Sequence, residues 1–509
     1  MKHQKTATAA LLAALLATGC GGGNGSDSPA PVTPWVRGTL LGTPQLTASV
    51  GAGELKRRLQ DGPSRDQALL LLAGDPVCDV QVHAIQYSTE GGAGEKTTAS
   101  GALMLPGGSD PRCSGAKPLV LYAHATHPEK SFNIAQLDDS ANAGHEEALA
   151  LATLFATHGF IVVAPNYAGY DTSTLAYHPF LNAQQQSTEM IDALSAAKEA
   201  LVQLAPRTTA GAKLFLTGYS EGGHVAMATH RALQQAGIPV TASAPMSGPY
   251  ALAQELDDNF AGRVHVGATL FGTFLATSYQ KAYGTIYARP TDLYESAWAN
   301  GIETLLPGAD AATLANTGKL PQSALFSTTP PQAPPGSGLQ AALDAMTPPR
   351  GTSMDAVFAR GFGADNLFTN SARLAYLQDM LSRPDQPANG LRVAARANDL
   401  RGWAPAAPVL LCGDSQDATV SFSVNTGAMQ QLWSGLPPGQ VSVLDVDTQP
   451  TDTSDPFLAE KLGFGLLKGA IEVDARLQGN DPVWELARNY HAAVFPFCAS
   501  AARRFFAAF

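Results

Sequence analysis

Long hydrophobic runs are scarce in this chain of 509 residues, and apart from one apolar Ala/Leu stretch at the N-terminus none is long enough to suggest a membrane span. No period of roughly 20 to 50 residues recurs, which excludes a solenoid. A glycine-rich phosphate loop and zinc-ribbon cysteine spacing are both missing. In His145-Glu146-Glu147-Ala148-Leu149 a leucine stands where the second histidine of a zinc-binding helix would be required. The sequence therefore implies no metal and no cofactor. Basic residues are also in short supply, 32 Lys and Arg against 43 Asp and Glu for a formal charge of −11, and that balance argues against nucleic acid as a partner.

What is present begins with Met1-Lys2-His3-Gln4-Lys5, the apolar run, and then Leu16-Ala17-Thr18-Gly19-Cys20, the pattern of a secretory signal with a small-residue cleavage site. Its end resembles a bacterial lipoprotein signal. That resemblance implies cleavage after residue 19, a lipid on Cys20, attachment to a membrane by the lipid alone, and outer-membrane sorting because Gly21 stands where a retention aspartate would. Loss of Lys2 and Lys5 makes the mature chain still more acidic. Residues 20–35, rich in Gly, Ser and Pro, read as a flexible tether. Export permits disulfides, and four cysteines remain after Cys20: Cys78, Cys113, Cys412 and Cys498. Three pairings are open. Cys78 with Cys113 would brace the first strands, and Cys412 with Cys498 would tie an acid-bearing loop to the C-terminal segment.

The most informative motif is Gly218-Tyr219-Ser220-Glu221-Gly222, between the apolar run 213–217 and a helix-like run from His224. A sharp strand-to-helix turn exposes a serine oxygen, and the flanking glycines let the chain pack closely there. Ser220 is thus the candidate nucleophile, and the amide of Glu221, at a helix N-terminus, is a candidate oxyanion donor. The second donor should follow an early strand, and the end of Pro118-Leu119-Val120-Leu121-Tyr122-Ala123-His124-Ala125-Thr126 offers the amides of Ala125 or Thr126. A triad in the order serine, acid, histidine needs an acid after a later strand. Val409-Leu410-Leu411-Cys412 leads into a polar turn where Asp417 is favoured, because it opens an Asp-x-x-Val segment returning to the core; Asp414 is its competitor. Of the 11 histidines only His491 follows Asp417. The expected triad is Ser220, Asp417 and His491, with His491 in a C-terminal loop returning over the site.

Short apolar strands alternating with helix-like segments predict an α/β fold, a mostly parallel central sheet covered by helices on both faces. The core is expected in residues 36–250 and 385–509, with an insertion at 251–384 placed where a cap would sit. The form of the N-terminal arm, about residues 36–73, is not readable.

With these pieces in place the chain resembles the secretory-lipase branch of the α/β-hydrolases, which includes yeast lipase A-type enzymes and exported bacterial esterases. The matching segments are His124-Ala125-Thr126, Ala164-Pro165-Asn166-Tyr167-Ala168-Gly169, Gly218 through Gly223, Leu411-Cys412-Gly413 through Val420, and Tyr490-His491. The resemblance implies hydrolysis of carboxylic esters of small molecules or lipids, a helical cap over the site, and a disulfide beside the acid and base. A serine peptidase or aminopeptidase on the same fold is the alternative activity, and a non-catalytic surface binding protein is the alternative from another class. Acyl length, alcohol group and oligomeric state are not legible.

Overall fold

The computed structural model describes residues 35–509; the signal, Cys20 and nearly all of the tether lie outside the described residues. The sheet has nine strands: β1 (Gln45–Val50), β2 (Asp79–Glu90), β3 (Lys96–Gly107), β4 (Gly115–Ala123), β5 (Ile161–Pro165), β6 (Thr208–Tyr219), β7 (Ala242–Met246), β8 (Val409–Gly413) and β9 (Val441–Asp445). Their spatial order is β1-β2-β3-β5-β4-β6-β7-β8-β9. The first three strands are antiparallel to their neighbours, and from β5 onward every pairing is parallel.

Burial explains which sequences went where. Strands β5, β7 and β8 are buried at every residue, which is why they read as continuous apolar runs. Near the sheet edge the start of β2 alternates, with Val80 and Val82 inside and Asp79 and Gln81 outside. The N-terminal arm supplies the edge strand β1 and the helices α1 (Ala52–Asp61) and α2 (Ser64–Ala73). The next helices in the core are α3 (His145–Leu154), α4 (Ala183–Leu204) and α5 (Glu221–Gln235), the last following β6 without a connecting loop.

Between β7 and β8 the chain leaves the sheet and builds α6 (Leu252–Phe260), α7 (Ala268–Tyr283), shorter helical turns and α8 (Asn370–Ser382). This region has its own apolar core, running from Leu252 to Ala394 and including Phe260, Phe274, Tyr279, Tyr294, Phe368 and Tyr376, joined by Phe180 and Leu181 from before α4. Arg373 is buried in the same core, where it donates to the carbonyls of Phe260 and Met346 and to the Thr347 hydroxyl and lies over the Phe326 ring at 4.5 Å. After β9 two long helices, α9 (Leu458–Leu477) and α10 (Pro482–Phe506), pack on each other.

Two disulfides are formed, Cys78–Cys113 and Cys412–Cys498. The first joins the start of β2 to the segment before β4. The second joins β8 to α10. No helix among the described residues is long and apolar enough to cross a membrane.

Candidate active site

Parallel register brings the carboxyl ends of four strands together: Ala123 lies beside Gly218, Tyr219 beside Met246, and Met246 beside Cys412. In such sheets the loops leaving these ends form the ligand crevice. Ser220 sits at the tightest of them, with φ +58° and ψ −119°, a conformation that L residues rarely adopt. It is the N-cap of α5, yet its hydroxyl makes no capping bond, so the oxygen is not spent on the helix. The glycines of the motif have a steric cause. A Cβ on Gly222 would lie 1.9 Å from the Ala123 carbonyl oxygen, and one on Gly218 would lie 2.3 Å from that of Gly222. Only glycine lets β4, β6 and α5 approach this closely.

The candidate acid comes from the turn after β8. Asp417 Oδ2 stands 2.6 Å from His491 Nδ1, while Oδ1 accepts the amides of Thr419 at 2.8 Å and Val420 at 3.1 Å. Asp414 does not reach the histidine. It is buried, one of its carboxylate oxygens has no hydrogen-bond partner among the described residues, and burial pushes its carboxyl up to about 8. A carboxyl held neutral in this way is a poor counter-ion for an imidazolium. His491 was expected in a loop, but it lies inside the 25-residue helix α10. The Tyr219 hydroxyl donates to its carbonyl, and the Cys412–Cys498 bridge fastens the same helix about two turns further on. With Nδ1 on the carboxylate, Nε2 is left buried without a partner among the described residues.

The loop after β4 is held by two buried carboxylates. Ala125, one of the two expected oxyanion donors, has its amide engaged: it donates to Glu147 Oε1 at 3.1 Å. That removes it from the set of free donors and leaves Thr126. The Thr126 hydroxyl donates to Glu221 Oε2 at 2.9 Å, and Thr126, Ser220 and Glu221 all line one cavity. His124 is fully buried between Tyr167 and Phe132, and burial lowers its imidazole to about 4. Its ring also bridges the carbonyls of Ala125 and Asn166, so it packs and ties the loop after β4 to the segment after β5. The residues that sequence reasoning missed are the partners of these carboxylates: His178 and Gln186 on Glu221, and Tyr122 and His127 on Glu147. None belongs to a motif, because they meet only in three dimensions.

The cavity beside Ser220 holds about 730 Å³, the open mouth included, and its walls are mostly apolar. Leu252 and Leu256 of α6 and Phe271 and Leu275 of α7 close it from the insertion side, and Phe180 and Val420 from the core. At one end Glu255, 3.0 Å from His265, also accepts from Asn425 at 2.6 Å and ties α6 to the helical segment that follows the Asp417 turn.

Among solved structures, a mutant of the rice cell wall degrading esterase LipA from Xanthomonas oryzae is 30% identical, with 87% of this chain and 98% of that chain covered and a TM-score of 0.62. The chain belongs to the lipase A-like branch of the α/β-hydrolases. This hydrolase also matches a putative hydrolase from Legionella pneumophila, at 18% identity, 92% and 97% coverage and a TM-score of 0.61, a likeness of fold alone. Lipase A of Candida antarctica is a more distant match, at 12% identity, 88% and 84% coverage and a TM-score of 0.46. No family model and no curated protein matches the sequence.

Proposed function

We propose that this hydrolase cleaves carboxylic esters through a Ser220-His491-Asp417 triad and an acyl-enzyme. The observation that carries the reading is the 2.6 Å contact between His491 Nδ1 and Asp417 Oδ2, made by residues 74 apart in sequence, at the sheet end where Ser220 occupies a strained strand-to-helix turn. In this mechanism Asp417 keeps the proton of the neutral imidazole on Nδ1, so Nε2 takes the proton of Ser220 as the hydroxyl attacks the ester carbonyl. The amides of Glu221 and Thr126 stabilise the oxyanion. His491 returns the proton to the leaving alcohol, and water then releases the acid by the same route. The name of the LipA neighbour supports esters as the substrate class.

The insertion, about residues 251–384, acts as a cap whose α6 and α7 supply the apolar wall for the acyl chain. The protein works outside the cytoplasm, in keeping with its two disulfides, held to a membrane by a lipid on Cys20. The test is hydrolysis of p-nitrophenyl esters from acetate to palmitate by the mature protein, with Ser220→Ala as control and a fluorophosphonate probe alongside. Turnover and labelling that vanish in the control are expected. Ester turnover undiminished by Ser220→Ala would overturn the assignment.

A further inference from the structure

Glu221 is an unusual residue to find next to a nucleophile. Its side chain has no exposure, and burying a carboxylate costs several kcal/mol unless its oxygens are fully engaged. Here they are: Oε1 accepts His178 Nε2 at 2.6 Å and Gln186 Nε2 at 2.6 Å, and Oε2 accepts the Thr126 hydroxyl at 2.9 Å. An apolar side chain would fill the same space without that penalty, so the carboxylate answers a need other than packing. Its neighbours indicate which. The Thr126 bond links the side chains of the two residues whose amides serve as oxyanion donors.

We propose that Glu221 is a positioning residue, whose carboxylate latches Thr126 to the nucleophile turn and sets the spacing of the Thr126 and Glu221 amides. The inference rests on the ester-hydrolase reading above. The loop is then held at successive residues, through the Ala125 amide by Glu147 and through the Thr126 side chain by Glu221. Preorganised donors act on an oxyanion without reorganising during the reaction, so a latch of this kind acts on the transition state and little on substrate binding.

A negative charge this close to a developing oxyanion would oppose it, and His178 lies against the carboxylate. Its Nδ1 lies 3.0 Å from the Ala168 carbonyl and its Nε2 2.6 Å from Glu221 Oε1, so the ring spans from the backbone to the carboxylate. Burial works against ionisation of Glu221, but its polar neighbours together, His178 foremost and Gln186 with it, outweigh burial and hold the carboxyl below its usual range. The carboxylate is fixed behind the turn by partners on both of its oxygens.

The experiment compares kcat and KM on p-nitrophenyl butyrate for Thr126→Val, Thr126→Ser, Glu221→Gln and the Thr126→Val/Glu221→Gln double variant, with thermal midpoints on the same samples. Complete loss of an oxyanion donor costs roughly 10²- to 10³-fold, so a donor that is merely unlatched should cost about 10- to 30-fold in kcat with KM within about 2-fold. Thr126→Ser keeps the hydroxyl and should recover kcat to within about 3-fold of the parent. The double variant should fall no further than the worse single, as expected for two residues acting through one bond. An unchanged kcat in Thr126→Val, a Thr126→Ser as poor as Thr126→Val, or losses that multiply in the double variant would each overturn the proposal. Should Thr126→Val not fold, the Thr126→Ser and Glu221→Gln values decide: recovery in the first beside a kcat-specific loss in the second supports the latch, and any other pattern overturns it. A parent protein that neither turns over esters nor labels with fluorophosphonate would instead overturn the hydrolase reading beneath it.

Discussion

Replacing Asp417 by Asn should silence the enzyme, and replacing Asp414 by Asn should not. Asp417 Oδ1 already accepts two backbone amides, from Thr419 and Val420, so the amide side chain of Asp417→Asn must leave its oxygen there and turn its NH₂ toward His491. Facing a donor, Nδ1 becomes the acceptor and the ring proton moves to Nε2, where it blocks uptake of the serine proton. In triads of this kind the change costs about 10⁴-fold in kcat, or roughly 5 kcal/mol of barrier. Asp414 predicts the opposite. Its carboxyl, moved by burial from an ordinary value near 4 to about 8, binds a proton in the fold that the unfolded chain gives up. The native state therefore loses stability as pH rises between roughly 4 and 8, by about 1.4 kcal/mol per unit, and the penalty levels off above the native value. Asp414→Asn removes it, so the variant should gain stability over the parent as pH rises from 5 to 8.5 and keep kcat within about 3-fold. Steady-state kinetics on a p-nitrophenyl ester and urea unfolding at the two pH values measure both. A full loss of activity in Asp414→Asn beside an active Asp417→Asn would refute the reasoning.

Gly222→Ala should abolish activity and destabilise by more than about 4 kcal/mol, because the new Cβ would sit 1.9 Å from the Ala123 oxygen; unfolding midpoint and fluorophosphonate labelling check it. Gly469→Ala, in the exposed face of α9 with nothing within 4 Å, should raise stability by about 0.5 to 1 kcal/mol at unchanged kcat, and a fall in the urea midpoint would contradict that. Removing either disulfide by paired Cys→Ala substitution should cost stability of the same order, about 4 to 5 kcal/mol by loop-closure entropy. Only loss of Cys412–Cys498 should also lower kcat, by at least about 10-fold, because that bridge joins the strand before the acid to the helix of the base. Equal kcat losses from the two pairs would remove the bridge from any role in catalysis.

Much of the site was legible because its signals are local. The strand, the glycines and the serine of the turn are contiguous, and the glycines are forced by backbone oxygens that any such turn brings close. Only one histidine follows the acid, so elimination alone singled out His491. Its setting was less readable: helix α10 runs on through residue 491 because burial of Tyr490, Val494 and Phe497 on one face holds it, a tertiary cause with no local marker. The preference for Asp417 over Asp414 rested on the Asp-x-x-Val segment it opens, and what separates them in the fold is which carboxylate meets the imidazole. Ala125 and Thr126 stood as equal candidates for the same reason, since the partner that occupies the Ala125 amide, Glu147, comes from another helix.

By itself the amino-acid sequence determined the layered α/β architecture, the turn that presents Ser220 and the order of the candidate triad residues along the chain, which follow from apolar periodicity, from the steric demands of adjacent residues and from the positions of the acids and histidines. The tertiary structure decided how the cysteines pair, which aspartate meets His491, that the Ala125 amide is already engaged, and that His178 and Gln186 close around Glu221. Each depends on two segments far apart in sequence arriving within hydrogen-bond or bonding distance. That distance is a property of the packed sheet ends and of the insertion above them, and no single segment carries it.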